Sequence, residues 1–371
     1  MNILDVNSKK QLRQFIKLPY QLYQNNPLWI PPLRIEQKNL FHPRKNIVLQ
    51  KCPYQLFLAM DNGTCVGRAA AFIDIDYNAY WGEKTGFFGS FECINDSNVS
   101  KALLDHCETW LRKRGMESIR GPINFESQNW GFILDGFDTP PRIMAPFNPP
   151  YYNELMVQSQ FEKAKDLYVF GSQVQKYIIP ERFKRHKEMF IKKYNLSIRQ
   201  VRKKNLIEDV RILLDLNNRS VVGNWGVAPV KMEEAENIAN SLKDIIRTDL
   251  VLIIEANGKP IAFVIVLPEI FMALKGLNGR LLPFGIFKLL WRLKKINEFR
   301  FWALGIVKEY QRRGIDSLLY LAAYETLQNQ RAYVEANYIL EDNFAMKDAV
   351  TKLGMEKIRT YRIYEKNIES K

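Results

Sequence analysis

Residues 299–329 read FRFWALGIVKEYQRRGIDSLLYLAAYETLQN. Residues 300–307 are rich in β-branched and aromatic side chains and follow a charged segment, which predicts a strand. Gln311, Arg312, Arg313 and Gly314 form a polar turn. After it Ile315, Leu318, Leu319, Ala322, Ala323 and Leu327 recur at the spacing of a helix's buried face. Strand, basic glycine turn and helix make a cradle for an anion: the first helical amides lack internal partners and sit at the positive dipole end. Glycine lets a ligand approach the backbone, and arginine adds charge.

Outward from this stretch the chain repeats itself. Residues 250–255 predict a strand, Asn257-Gly258 a hairpin turn and 261–267 the return, ahead of strand 300–307 and its helix. The same order occurs earlier, with strand 56–60, turn Asp61-Asn62-Gly63, return 66–73, strand 86–93 and helix 98–114. That helix has Val99, Leu103, Cys107, Trp110 and Leu111 on one face and Gly115 as terminator. Phe161-Glu162-Lys163 and Met355-Glu356-Lys357 then precede the apolar runs 167–170 and 361–364. From Asn62 to Phe161 is 99 residues, and from Asn257 to Met355 is 98. The match predicts an internal duplication of one α/β fold. Cys93-Ile94-Asn95-Asp96-Ser97, which replaces the basic turn in the first copy, is acidic and lacks glycine, so only the second copy is expected to cradle a phosphate.

With 371 residues, 47% hydrophobic and 25% charged, the composition suits two folded domains. No uninterrupted apolar run reaches the length of a membrane span and no leader opens the chain, so a cytoplasmic protein is expected, peripheral to the inner membrane face at most. Cys52, Cys65, Cys93 and Cys107 show no CxxC spacing and read as small apolar residues in a reducing compartment. The three histidines, His42, His106 and His186, form no cluster, so no metal site and no Ser/His/Asp centre is expected. A formal net charge of +14 implies an acidic partner.

Residues 1–50 predict a helix at 9–23 and then a proline-punctuated wrapping segment. Residues 120–150, rich in Gly, Pro, Asn and aromatics, read either as a lid or as a small satellite core. A basic run at 180–204, including Arg182, Lys184, Lys192 and Lys193, reads as the connector between lobes and as a solvated helical face rather than a dedicated anion site, and helices are expected at 206–222 and 232–247. An insertion at 268–298 separates the return strand of the second copy from its central strand. On a helical wheel Ile286, Leu289, Leu290, Leu293 and Ile296 share one face and Lys288, Arg292 and Lys295 the opposite one, with Phe284 and Trp291 between. Such a helix suits an anionic membrane interface, the alternative being a helix packed on its own domain. A nucleic-acid surface is disfavoured, because the aromatics sit with the aliphatics rather than among the cations.

The run Gln311 to Asp316 resembles the Q/R-x-x-G-x-G/A motif of the GCN5-related N-acetyltransferases (GNAT), in which this turn holds the diphosphate of acyl-coenzyme A. Asp316 departs from the Gly or Ala of that motif and puts a carboxylate beside the diphosphate; a first-turn helix preference also explains it. Over its length the chain resembles a group of two-lobed bacterial GNAT-like proteins to which sphingoid-base N-acyltransferases are related. Asn25 to Pro32, Phe87 to Glu92, Pro146 to Tyr152, Ile339 to Asn343 and Thr360 to Lys366 carry this resemblance.

The resemblance implies an α/β (α+β) fold of two tandem GNAT-like lobes, with mixed central sheets flanked by helices. The lobes are expected at 51–179, degenerate, and 205–371, coenzyme-binding. Acyl-CoA is the implied co-substrate, without a metal, and an amine the acceptor, a lipid amine in the related enzymes. The implied coenzyme contacts are Ile306, Val307, Gln311, Arg312, Arg313, Gly314, Ile315, Asp316, Ser317 and Asn343. Acyl transfer also needs a base for the amine and an acid for the thiolate. Glu335 and Glu341 on and after the predicted strand 332–339 are candidate bases, each with a purely structural reading open. Val350 stands where the family often has its acidic Tyr, which leaves Tyr338 and Tyr310 as substitutes. Two other functions fit less of the chain: a tRNA-dependent aminoacyl-transferase, and a binding protein in which Asp316 marks a dead coenzyme site.

Overall fold

The computed structural model describes residues 1–125, 129–177, 179, 181–243 and 246–368; the side chains of Arg182, Phe183, Lys184, His186, Ser241 and Leu242 lie outside what is described. In chain order the first copy comprises β1 (Asn2–Asp5), α1 (Lys9–Leu22), α2 (Arg34–Leu40), α3 (Ile47–Lys51), β2 (Tyr54–Asp61), β3 (Thr64–Phe72) and α4 (Ile75–Trp81). It continues through β4 (Thr85–Cys93), α5 (Ser97–Arg112), β5 (Ser118–Gly121), β6 (Phe132–Asp135), α6 (Tyr151–Gln158) and β7 (Glu162–Gln173). After α7 (Glu181–Tyr194) the order recurs as β8 (Leu196–Gln200), α8 (Leu206–Ser220), α9 (Met232–Leu242), β9 (Val251–Ala256) and β10 (Lys259–Pro268). The insertion supplies α10 (Phe271–Leu274) and α11 (Gly285–Leu293), followed by β11 (Glu298–Ile306), α12 (Ile315–Leu327), β12 (Tyr333–Leu340), α13 (Phe344–Lys352) and β13 (Glu356–Asn367). The duplication is therefore visible element by element. Even the hairpin turns agree: Asn62 and Gly63 have φ of 46° and 79°, Asn257 and Gly258 51° and 75°. Both central residues are left-handed, which is what a two-residue hairpin requires and Asn-Gly supplies.

The chain forms two compact units. One holds Met1–Tyr168, Phe271–Leu293 and Arg359–Lys371; the other holds Val169–Ile270 and Lys294–Ile358. In the first unit the strands run β1-β2-β3-β4-β5-β13, antiparallel except for the parallel β4–β5 pair. Leu103, Leu104, Cys107 and Leu111 of α5 are fully buried in a core with Phe57, Ala69, Ala71 and Phe88 of the sheet. The last strand of the second copy thus completes the first unit's sheet, Tyr364 opposite Gly121. The segment around 120–150 packs as a satellite core: Phe125 meets Phe41, Tyr54 and Phe72, and the Arg359 guanidinium donates to the carbonyls of Gly136 and Thr139. All four cysteines are free thiols, Cys93 and Cys107 buried.

In the second unit the order is β12-β11-β10-β9-β8, with only β11–β12 parallel. The basic run supplies helix α7 and an edge strand, β8. Its charge is partly consumed there: Arg199 and Arg202 both bind the buried carboxylate of Asp209, at 3.0 Å each. Helix α7 lies against α12, where Lys187 pairs with Glu325 at 2.8 Å. Although α10 and α11 fall within the second copy in chain order, they group with the first unit. There Leu274 and Leu277 pack on Ile30 and Leu33, and Leu289 covers them.

Candidate active site

In the second unit β11 and β12 pair over four rungs, from Glu298–Tyr333 to Phe301–Ala336. Both strands continue, to Ile306 and Leu340, but the pairing does not. The register of β11 against β10 skips Trp302, so a bulge bends β11 where it leaves β12. The first residue past the last rung on each strand carries a buried polar atom without a hydrogen-bond partner, Trp302 Nε1 on one and Asn337 Oδ1 on the other. A buried orphan donor and a buried orphan acceptor are costly unless something between the strands takes them up. A group offering both a carbonyl and an amide, as the pantetheine arm of coenzyme A does, fits this pair.

At the far end of β11 the Val307 amide donates to Ile261 O of β10 at 2.9 Å. Successive amides of a strand point to opposite edges, so those of Leu304 and Ile306 face the other way, toward β12. Gln311 folds back and donates from Nε2 to Ile306 O at 2.9 Å, which ties the turn to the strand. Of the two strand positions among the implied coenzyme contacts, Ile306 has its amide on the side away from β10 and Val307 has its amide in the sheet.

The turn has the shape the sequence implies. Arg312 and Gly314 are left-handed, with φ of 57° and 77°, and α12 starts at Ile315 with no side-chain cap on Gly314. The left-handed dihedral favours glycine, and a Cβ on Gly314 would stand 3.2 Å from the Phe190 ring, a tight contact. Gln311, Arg312 and Arg313 are exposed; the Arg313 guanidinium lies 5.3 Å from the Tyr310 ring and 5.9 Å from that of Tyr194. The Ser317 hydroxyl donates to Gly314 O at 2.6 Å and closes the turn. Asp316 is half-buried. Burial pushes its pKa up, opposed by its hydrogen bonds to the Ser317 amide and to its own. Its carboxylate therefore rests on the amides a phosphate would use.

Arg300 and Glu335 stand opposite each other in register, 0% and 1% exposed. Strand alternation places Glu335 and Tyr338 on opposite faces, yet Arg300 also lies 5.3 Å from the Tyr338 ring, so the two share one neighbour. Glu335 belongs to a closed rung, whereas Glu341 is half-buried beyond the open end of β12. Asn343 opens α13 as its cap, accepting from the Met346 amide at 3.1 Å, and Val350 is buried. Sequence reasoning missed Trp302, Asn337 and Arg300. Trp302 is the residue the bulge skips, and no periodicity marks a bulge. No cluster able to hold a metal occurs among the described residues.

No family model matches the chain. Two curated relatives run along nearly all of it. Protein YghO of Escherichia coli (strain K12) is 34% identical over 369 residues, covering 97% of this chain and 94% of its own. Bacterial ceramide synthase of Caulobacter vibrioides (strain NA1000 / CB15N) is 31% identical over 375 residues, covering 99% and 97%. Among solved structures, a tandem GNAT protein from the clavulanic acid biosynthesis pathway superposes with a TM-score of 0.58 at 11% identity, covering 100% of this chain and 99% of its own. The GCN5-related glucosamine N-acetyltransferase region of a fungal multi-domain β-N-acetylglucosaminidase gives 0.60 at 15%, covering 98% of this chain and 38% of that one. These two likenesses speak for the fold alone. The relatives, the tandem fold and the opened strand pair agree: the chain belongs to the two-lobed GNAT family that includes bacterial ceramide synthase, and it is an N-acyltransferase.

Proposed function

We propose that the protein transfers a long-chain acyl group from acyl-CoA to the primary amine of a membrane lipid such as a sphingoid base. The observation that carries this reading is the opened β11–β12 pair running into an arginine-glycine turn at a helix start. Relatedness to bacterial ceramide synthase supports the lipid acceptor.

In this reading Arg312, Arg313 and the first amides of α12, at Ile315, Asp316 and Ser317, hold the diphosphate, with Gln311 and Gly314 fixing the turn. Trp302 and Asn337 take the pantetheine arm, and the Ile306 amide receives the thioester oxygen. The amine nitrogen attacks the carbonyl carbon, the carbon–sulfur bond breaks, and the proton lost by nitrogen is balanced by one gained by sulfur. Glu341, at the open end of β12, serves as the base and Tyr338 as the acid. Glu335, shut in a paired rung beside Arg300, orients the strand. Asn343 anchors α13.

Helix α11 supplies the membrane contact, on a face that keeps Leu290 of the wheel's apolar side but is turned toward Phe287 and Trp291. Leu289 is turned inward, and Arg292 donates to Ala273 O at 3.0 Å and also to Lys275 O. Phe284 and Phe287 are 78% and 69% exposed, and Leu282, Leu290 and Trp291 are exposed with them. An apolar stripe flanked by the exposed Lys288 and Lys294 fits an anionic lipid interface. Among the described residues no helix is long and apolar enough to cross a membrane. The free cysteines suit a reducing compartment and support a location on the cytoplasmic face.

Calorimetric titration with coenzyme A tests the donor site. Binding that falls at least tenfold in Arg312→Glu/Arg313→Glu supports it; no binding by the unaltered protein refutes it.

A further inference from the structure

The first unit contains a cavity of about 150 Å³ that the acyl-donor site does not use. It lies where β4 leaves β5, past their last rung at Phe87–Arg120. Two opposite charges line it, Arg68 of β3 and Glu92 of β4, which are partners in register.

Arg68 is 5% exposed. Its Nη1 donates to Phe15 O at 2.8 Å and its Nη2 stands 3.5 Å from Glu92 Oε1, while Nε is buried without a partner. The other oxygen of Glu92 accepts from the hydroxyls of Tyr23 and Tyr152, the latter at 2.9 Å. Tyr152 in turn accepts from the Cys93 amide at 2.8 Å. The carboxylate is thus fixed by groups from three separate elements, with its second oxygen left to a long contact. Burial raises the pKa of Glu92, so a second positive charge beside it would be taken up favourably.

The walls limit what can enter. Tyr20, Trp29, Phe41 and Phe147 surround the cavity, and aromatic faces attract a cation. A plain anion would meet Glu92, and a plain amine would leave the Arg68 N–H unpaired. The volume equals that of about five waters, enough for a headgroup and too small for a long chain. Ile30 and Phe271 line the cavity and also belong to the cluster that Leu289 of α11 covers, beneath the exposed Phe287, Leu290 and Trp291.

We propose that this cavity binds the headgroup of an amphiphilic primary amine carrying an oxygen on a neighbouring carbon, its ammonium on Glu92 and its oxygen on Arg68 Nε, with the tail leaving past Ile30 and Phe271. The inference rests on the lipid-amine reading above and gives such an amine a binding site within the first unit.

The test titrates the full chain with 2-aminododecan-1-ol, dodecylamine and dodecan-1-ol below their micellar limits. The amino alcohol is expected to bind at least tenfold more tightly than either comparator, and Glu92→Gln to lose at least tenfold of that affinity. Because this substitution strands a buried guanidinium and could unfold the unit, Ala145→Phe, which fills the cavity from its wall, is the second variant. It is expected to lose the amino alcohol and keep coenzyme A. Equal affinity for dodecan-1-ol, or unchanged amino-alcohol binding in folded Ala145→Phe, overturns the proposal. Cavity binding without acyl transfer to any amine supports the site and overturns the function proposed above.

Discussion

Phe301 and Ala336 form the last rung between β11 and β12, and each is followed by a residue that buries an unpartnered polar atom, Trp302 and Asn337. A site made for a ligand gains stability when the orphan is removed and loses the ligand. Asn337→Leu is expected to raise the stability of the unliganded protein by about 1 kcal/mol, read by urea unfolding, and to weaken coenzyme A binding severalfold. Weaker stability with unchanged affinity would show that Asn337 serves packing only.

In the proposed donor site Asp316 stands against the diphosphate, because its carboxylate already holds amides at the start of α12. Asp316→Gly is expected to tighten coenzyme A binding about fivefold, from about 1 kcal/mol of removed repulsion. Because burial raises the folded pKa, affinity of the unaltered protein should climb as pH falls toward that pKa, above the ordinary 3.8, as the carboxylate is neutralised. Asp316→Asn should lack this arm of the profile. Calorimetry across pH reads both.

The Arg362 guanidinium grips Asp166 through two hydrogen bonds of 2.8 and 2.9 Å within the first unit. Burial alone would raise the Asp166 pKa, but these bonds, with Lys163, outweigh it and hold the pKa below the ordinary 3.8. A depressed folded pKa gives stability that is fully present above the unfolded value and is lost as pH falls through the folded one. Asp166→Asn should therefore cost about 1.5 to 3 kcal/mol at pH 7, and the difference from the unaltered protein should shrink as pH falls below 3.8 through the lowered folded pKa. Denaturant melts at the two pH values check it.

Membrane association is assigned to the outer face of α11. Phe287→Glu/Trp291→Glu should abolish flotation with anionic vesicles and leave folding intact, since both side chains are exposed. Leu289→Glu should instead destabilise the first unit, because Leu289 packs on Leu274 and Leu277. Arg292→Ala should act likewise through its lost carbonyl contacts, without a specific loss of lipid affinity.

Much of this was legible in the sequence because it is local. The Asn-Gly turns, the period of α12 and the Arg-Arg-Gly turn depend on residues adjacent in the chain. The edge strands β1 and β8 were not legible: four and five residues long, they show no alternation and owe their form to pairing with β2 and β9. The wheel of α11 showed which residues cluster but not which cluster is covered, and Ile30 and Leu33, some 250 residues away, decide that. The buried set of Tyr23, Arg68, Glu92 and Tyr152 was invisible for the same reason, since no spacing relates residues from four elements. Glu335 was legible as a strand carboxylate, but its confinement to a closed rung beside Arg300 appears only in the register of β11 with β12.

Acyl transfer itself is the most direct measurement. Purified protein with palmitoyl-CoA and sphinganine in anionic vesicles should release free coenzyme A and form the N-palmitoyl amide in equal amounts by mass spectrometry, with turnover falling as the donor is shortened to acetyl-CoA. Coenzyme A release without amide, or no turnover with any donor from acetyl to palmitoyl, would contradict the account.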